Sequence, residues 1–194
     1  MDLRRQLVKK IQRVFWIYLG EIFVVLPEDL LPTVHPKVTC EFVAITRENC
    51  SRVEDFREKD LAAEFLEKVL RGEKGFFAVR QGHTAGSIWA TINQSKVPTI
   101  VRGFMKLMPQ EALIHDIVTG VEHRGIGIGP FMVTQILPIL FQRYGVSRVV
   151  IDVNVKNTAS LKMMDKAGLH AKQRALAISA FQKLAFHKTL KEYD

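Results

Sequence analysis

Apolar residues recur with two periods along this chain, and the switches between them mark the elements. Alternation with a period of two, rich in Val, Ile and Phe, predicts strands over residues 40–45, 75–80, 84–93, 113–119 and 148–155. The Gln81, Gly82, His83 turn makes the second and third of these a hairpin. A further strand is predicted over 99–107, and a strand pair or one long strand over 176–187. Spacings of three and four predict helices elsewhere. Phe56, Leu61, Phe65, Val69 and Leu70 form the buried stripe of a helical region over 52–71. The helix predicted over 131–144 carries Pro138, which removes a backbone donor and distorts the turn around it. A short helix over 157–166 is stopped by Gly168.

At the start, Leu3, Leu7, Ile11, Val14 and Tyr18 share one face of a predicted amphipathic helix, with Arg4, Arg5, Lys9, Lys10 and Arg13 beside it. Its apolar face suits packing on the domain itself or on a second copy in a homodimer, ahead of peripheral contact with a membrane surface. The apolar stretch over 14–26 is interrupted by Glu21, has no small-residue cleavage site after it, and falls short of the ~20 residues a spanning helix needs. Pro27, Pro32 and Pro36 then break regularity. The expected organisation is a helix and connector over 1–37 followed by one domain over 38–194. The order of elements reads as α/β with a mixed sheet, neither a repeated βαβ wheel nor a sandwich.

Composition refines this picture at three points. A length of 194 residues suits one hydrophobic core. A net charge of +8 favours an anionic ligand or surface without saying which. Nucleic acid ranks last, because no basic motif interleaved with aromatic residues is present. Two cysteines, Cys40 and Cys50, are too few for a disulfide scaffold and lack metal-ligand spacing, which predicts no metal and reduced thiols in the cytoplasm.

The chemistry concentrates at a turn between the strand 113–119 and the next helix: Arg124, Gly125, Ile126, Gly127, Ile128, Gly129. Alternate glycines let the backbone approach a ligand closely and aim free N–H groups at it, and the following helix N-terminus favours negative charge. The Gly-Lys-Ser/Thr end of a P-loop is missing. The dinucleotide fingerprint fails as well, because its third glycine falls on Pro130, or on Met132 if counted from Gly127.

Arg-x-x-Gly-x-Gly over 124–129 matches the CoA pyrophosphate signature of the GNAT superfamily of N-acetyltransferases. Asn157, Ser160 and Leu161, followed by Lys166, Ala167, Gly168 and Leu169, resemble that superfamily's second signature. The resemblance covers residues 38–187. It implies a central, mostly antiparallel sheet with splayed parallel strands, flanked by helices. It implies acetyl-CoA as co-substrate, bound by Ile117, Val118, Thr119, Arg124, Gly125, Ile126, Gly127, Ile128, Gly129, Asn157 and Ser160. A backbone N–H at Val118 or Thr119 would hold the thioester oxygen. The activity implied is acyl transfer to a primary amine of a small molecule, an amino sugar or a protein, by direct attack.

An amine needs deprotonation, and His115 and Asp116 occupy the strand position where family members often place a carboxylate. His115 is the first candidate base. Asp116 points to the opposite strand face unless a bulge re-aims it. Glu111 and Glu122 are weaker candidates, read more simply as solvated loop charges. Two positions depart from the family pattern. Met164 stands where family enzymes commonly carry the tyrosine that protonates the leaving thiolate, and Val121 replaces a proline before the turn. Tyr144 belongs to the preceding helix and the core. The competing expectation is therefore a non-catalytic CoA-binding module docked to a membrane surface or partner protein.

Overall fold

The computed structural model describes residues 15–29, 31–57, 61–101, 104–180 and 183–193. Ten strands and three α-helices occur among them. The chain begins with β1 (Phe15–Val25) and continues to β2 (Glu41–Ala44) and a 3₁₀ segment (Cys50–Asp55), then α1 (Ala62–Leu70). Next come β3 (Lys74–Arg80), β4 (His83–Ile92), β5 (Thr99–Val101), β6 (Met105–Leu107) and β7 (Glu111–Thr119). A short 3₁₀ turn (Val121–His123) leads to α2 (Ile128–Pro138), which runs into a π-helical turn (Ile139–Arg143). The remainder is β8 (Arg148–Asn154), α3 (Thr158–Lys166), β9 (Ala171–Ala180) and β10 (Lys183–Glu192).

Eight strands form one sheet in the order β10-β9-β1-β8-β7-β4-β3-β2, and β5 and β6 form a separate hairpin. Every neighbouring pair in the large sheet is antiparallel except β7 and β8. The mixed α/β architecture expected from the sequence is therefore present. One element differs in detail from its expectation: the run expected as a single strand over 99–107 holds two strands, β5 and β6, paired antiparallel. Pro138 leaves the distorted turn expected there, since proline deprives the carbonyl one turn earlier of its donor and α2 ends in the wider π-helical turn.

The larger correction concerns the start of the chain. Tyr18, expected on a helix face, lies in β1, and β1 stands in the middle of the sheet, paired antiparallel with β8 on one side and β9 on the other. Leu3, Leu7, Ile11 and Val14 lie outside the described residues. The helical spacing was real, but 15–25 is also a nearly unbroken apolar run, FWIYLGEIFVV, and burial against two neighbouring strands selects the extended form. A boundary near Val38 thus does not separate residues 15–25 from the sheet. The expected connector is irregular over 26–29 and 31–40 and crosses beside the glycine turn, where the Lys37 N–H donates to the Ile126 carbonyl at 2.8 Å.

The sheet is covered on both faces. On one, Met132, Val133 and Ile136 of α2 and Met164 of α3 pack on Ile88, Ala90, Ile114 and Ile151. On the other, Phe65 of α1 meets Phe77 and Trp89, while Leu107 and Phe104 of the β5–β6 region cover Tyr18, Ile22, Leu113 and Val150. Leu113 and His115 lie on this second face, because successive strand residues alternate.

Candidate functional site

β7 and β8 lie parallel only as far as Ile114 opposite Ile151. Beyond that pair β7 continues alongside β4 to Thr119, and the β8 side of residues 115–119 takes no part in the recorded pairing. A gap therefore opens through the sheet between the two faces. Two depressions meet there. The larger, about 610 Å³, lies along the glycine turn and α3. The smaller, about 250 Å³, lies in the gap itself, and the two share Ile117, Val118, Asn157, Ser160 and Met163.

The larger cleft is lined by Ile117, Val118, Thr119, Arg124, Gly125, Gly127, Ile128, Gly129, Asn157 and Ser160, ten of the eleven positions expected there. Ile126 is the exception. It packs against the hydrophobic core, and its carbonyl is taken by Lys37. Gly127 caps α2 with φ 91°, a left-handed conformation that a side chain would strain. At Gly129 the need is for space. A Cβ there would stand 2.6 Å from Met163 Sδ and 3.2 Å from its Cγ, so the bare backbone keeps α2 and α3 apart by no more than the cleft requires. Asn157 caps α3, its Oδ1 accepting from the Ser160 N–H at 3.1 Å. Arg124 is exposed and donates to the Thr119 carbonyl at 3.3 Å. His123, Lys162 and Lys166 also line the cleft, and of these only Lys166 belongs to a sequence motif, the second signature. Their presence makes this mouth cationic.

His115 and Asp116 line the smaller pocket. Asp116 has φ 47°, and the β4–β7 register slips between the pairs Ser87–Val118 and Trp89–His115. This is the bulge that re-aims Asp116, so the side chain reaches the α1 face instead of the opposite one. There Lys68 Nζ lies 2.6 Å from its Oδ2 and Arg57 Nη1 lies 3.3 Å from its Oδ1. Burial pushes this carboxyl up, but the Lys68 hydrogen bond and charge, with Arg57 and His115, outweigh it and hold the group below the usual aspartate range. Lys68 is itself buried, 5.3 Å and 5.2 Å from the ring centroids of Phe65 and Trp89.

His115 Nε2 lies 2.9 Å from Thr91 Oγ1 and 3.3 Å from Glu73 Oε2. A proton on Nε2 aimed at these oxygens leaves Nδ1 as the acceptor. Burial raises Glu73, but hydrogen bonds and charge from His115 and Arg71 bring its carboxyl below the ordinary value. Glu73, Thr91, Lys68 and Arg57 carried no sequence signal. Lys68 and Glu73 flank the end of α1, while Arg57 and Thr91 come from other segments that the fold brings to β7.

The weaker candidates separate. Glu122 is exposed, as expected of a solvated charge. Glu111 is not: it is buried at the start of β7, accepting from Arg148 Nη1 at 2.8 Å and from the Met108 N–H at 2.8 Å. It holds the strand ends together, away from the gap. Met164 is fully buried and lines the smaller pocket, Val121 is exposed, and Tyr144 is half-buried against the core.

A mixed sheet with one parallel pair that parts over a glycine-rich helix start matches the fold that the sequence resemblance implies. The family model described as "Acetyltransferase (GNAT) family" matches residues 41–169, and the chain belongs to that family, whose members use acetyl-CoA. No curated protein resembles the chain closely enough to count as a match. Solved structures agree on the fold. A GNAT-family acetyltransferase from Colwellia psychrerythraea has a TM-score of 0.60 at 13% identity, covering 90% of this chain and 60% of that one. One described as a putative acetyltransferase from Novosphingobium aromaticivorans has a TM-score of 0.57 at 12% identity, covering 84% and 65%. This chain thus spans less than two thirds of either. AAC(6')-Iy, in complex with the bisubstrate analogue CoA-S-monomethyl-acetylneamine, has a TM-score of 0.53 at 16% identity, covering 67% and 90%. No helix among the described residues is long and apolar enough to cross a membrane.

Proposed function

We propose that this protein transfers the acetyl group of acetyl-CoA to a primary amine of a small molecule, an amino sugar or a protein. The observation that carries this reading is the continuity of the two depressions through the gap between β7 and β8. A long, anionic molecule lying in the larger cleft would place its far end beside His115. The larger cleft fits a pyrophosphate in three respects: free N–H groups at the start of α2, a bare Gly129, and a cationic mouth. Acetyl-CoA supplies the activated thioester, and the remaining work falls to the chain.

In this reading Arg124 and the turn of Gly125, Gly127 and Gly129 hold the pyrophosphate. Asn157 and Ser160 border the pantetheine arm. A backbone N–H of Val118 or Thr119 faces the thioester oxygen as charge develops on it. His115 takes the proton of the attacking amine at Nδ1, with Glu73 and Thr91 fixing the ring through Nε2. Asp116, held ionised by Lys68 and Arg57, keeps the bulge in place rather than exchanging a proton. Two free cysteines fit a cytoplasmic setting.

The test is twofold. Acetyl-CoA is expected to raise the melting temperature, and a panel of primary amines is expected to release CoA thiol, with His115→Ala lowering kcat by roughly 100-fold or more. Absence of the thermal shift overturns the reading. A shift without turnover on any amine supports a CoA-binding module instead.

A further inference from the structure

The departing CoA sulfur leaves as a thiolate, and a proton supplied as the C–S bond breaks lowers that barrier. Of the α3 side chains lining the smaller pocket, Met163 and Met164 carry no transferable proton and Ser160 offers only an alcohol hydroxyl, a far weaker acid than a phenol. Asp116 is held ionised, and His115 serves the amine side. The remaining acid on the pocket wall comes from a different part of the fold. Tyr18 of β1 lines the pocket and donates to Asp152 Oδ2 at 2.6 Å, and Asp152 lies on β8 one residue past the point where β7 and β8 part. The Val155 N–H donates to the Leu19 carbonyl at 3.0 Å, which sets this end of β1 beside the start of α3.

The ring reaches Asp152 by lying along its own strand over Gly20. A Cβ at Gly20 would stand 2.8 Å from both Tyr18 Cζ and its hydroxyl oxygen. That glycine leaves the ring room it would otherwise lack. His115 on β7 and Tyr18 on β1 thus stand at opposite walls of one gap, as a base and an acid acting on the two ends of one transfer must.

We propose that the Tyr18 hydroxyl is the proton donor to the leaving thiolate, delivered by β1 and oriented by Asp152. This rests on the reading that the thioester enters the smaller pocket. The amine nitrogen bonds to the thioester carbon, and the C–S electron pair goes to sulfur. Sulfur takes the Tyr18 proton as that hydroxyl turns from Asp152 toward it, and His115 takes the amine proton. Water then returns one proton to the phenolate and removes one from His115, so the net change is amine plus thioester to amide plus thiol.

The experiment needs no knowledge of the acceptor. CoA is bound to the full chain, and the rate at which iodoacetamide alkylates the bound thiol is followed by mass spectrometry across pH. A Tyr18 O–H aimed at sulfur stabilises its thiolate, so Tyr18→Phe should need a higher pH for half-maximal alkylation. Gly20→Ala, which keeps the hydroxyl and displaces it, should shift the profile the same way. Superimposable profiles for wild type and Tyr18→Phe, both with CoA bound, overturn the proposal. Failure of wild type to bind CoA overturns the functional reading beneath it. With an amine that turns over, Tyr18→Phe should lower kcat roughly 100-fold while KM for acetyl-CoA stays within twofold.

Discussion

Lys68 Nζ sits 2.6 Å from Asp116 Oδ2, joining the last turn of α1 to the one residue of β7 that stands at positive φ. The pair fastens the helix to the bulge at the edge of the gap. Because Lys68 is nearly buried, removing its charge by Lys68→Met leaves Asp116 with Arg57 alone and should destabilise the fold by about 2 kcal/mol. Urea denaturation measures this, and an unchanged midpoint would show that the pair contributes nothing.

The same pair makes stability depend on pH. The folded-state value of Asp116 lies below its ordinary one, so its contribution is complete above the unfolded value of about 3.9 and disappears as pH falls through the lower folded value. Wild type should lose stability through this acidic window more steeply than Asp116→Asn. Parallel acid-denaturation curves for the two would contradict the assignment.

Gly129→Ala should test the cleft. The new Cβ meets the thioether of Met163, a flexible side chain that moves by entering the cleft. CoA affinity should fall roughly tenfold, a loss of about 1.4 kcal/mol, with the melting temperature of the free protein little changed. Adding Met163→Ala should restore most of the loss in calorimetric titration.

Lys162 and Lys166 lie at the mouth of the larger cleft beside Arg124. Replacing both by Met should weaken CoA binding and flatten its dependence on salt, since exposed charges act through a screened field. Dephospho-CoA, with less negative charge, should respond less. Equal salt dependence in wild type and the double variant would place the phosphates elsewhere.

Glu73→Gln removes the charge beside His115 Nε2 but keeps its shape. kcat for acetyl transfer should drop roughly tenfold, with KM for acetyl-CoA unchanged. A rise in KM alone would indicate that Glu73 shapes the binding site instead.

Much of this was legible in the sequence, and the failures have physical causes. The glycine turn could be read because Gly125, Gly127 and Gly129 serve one local need, and local needs leave local patterns. His115 and Asp116 could be singled out as candidates by their place on the strand before that turn, although the direction of Asp116 depended on a bulge that only pairing with β4 defines. Ile126 lies inside the motif, but its side chain packs on the core, which a local pattern does not reveal. Glu111 was mistaken for a loop charge because its partner Arg148 is distant in sequence. Glu73, Lys68 and Tyr18 gave no signal for that reason too. Helical spacing at the start of the chain competed with an apolar run suited to a buried strand, and tertiary pairing decided the outcome for 15–25.

The position of β1 also governs when the molecule can be assembled. Glu21 accepts from Arg174 Nε at 2.9 Å across 153 residues of sequence. β1 is synthesised well before both of its neighbours, β8 and β9, leave the ribosome. Until then an eleven-residue apolar segment has no partner. The sheet closes through contacts of long sequence separation, which fold slowly. The exposed β1 is the segment on which a chaperone would act, and the one through which unfinished chains would aggregate.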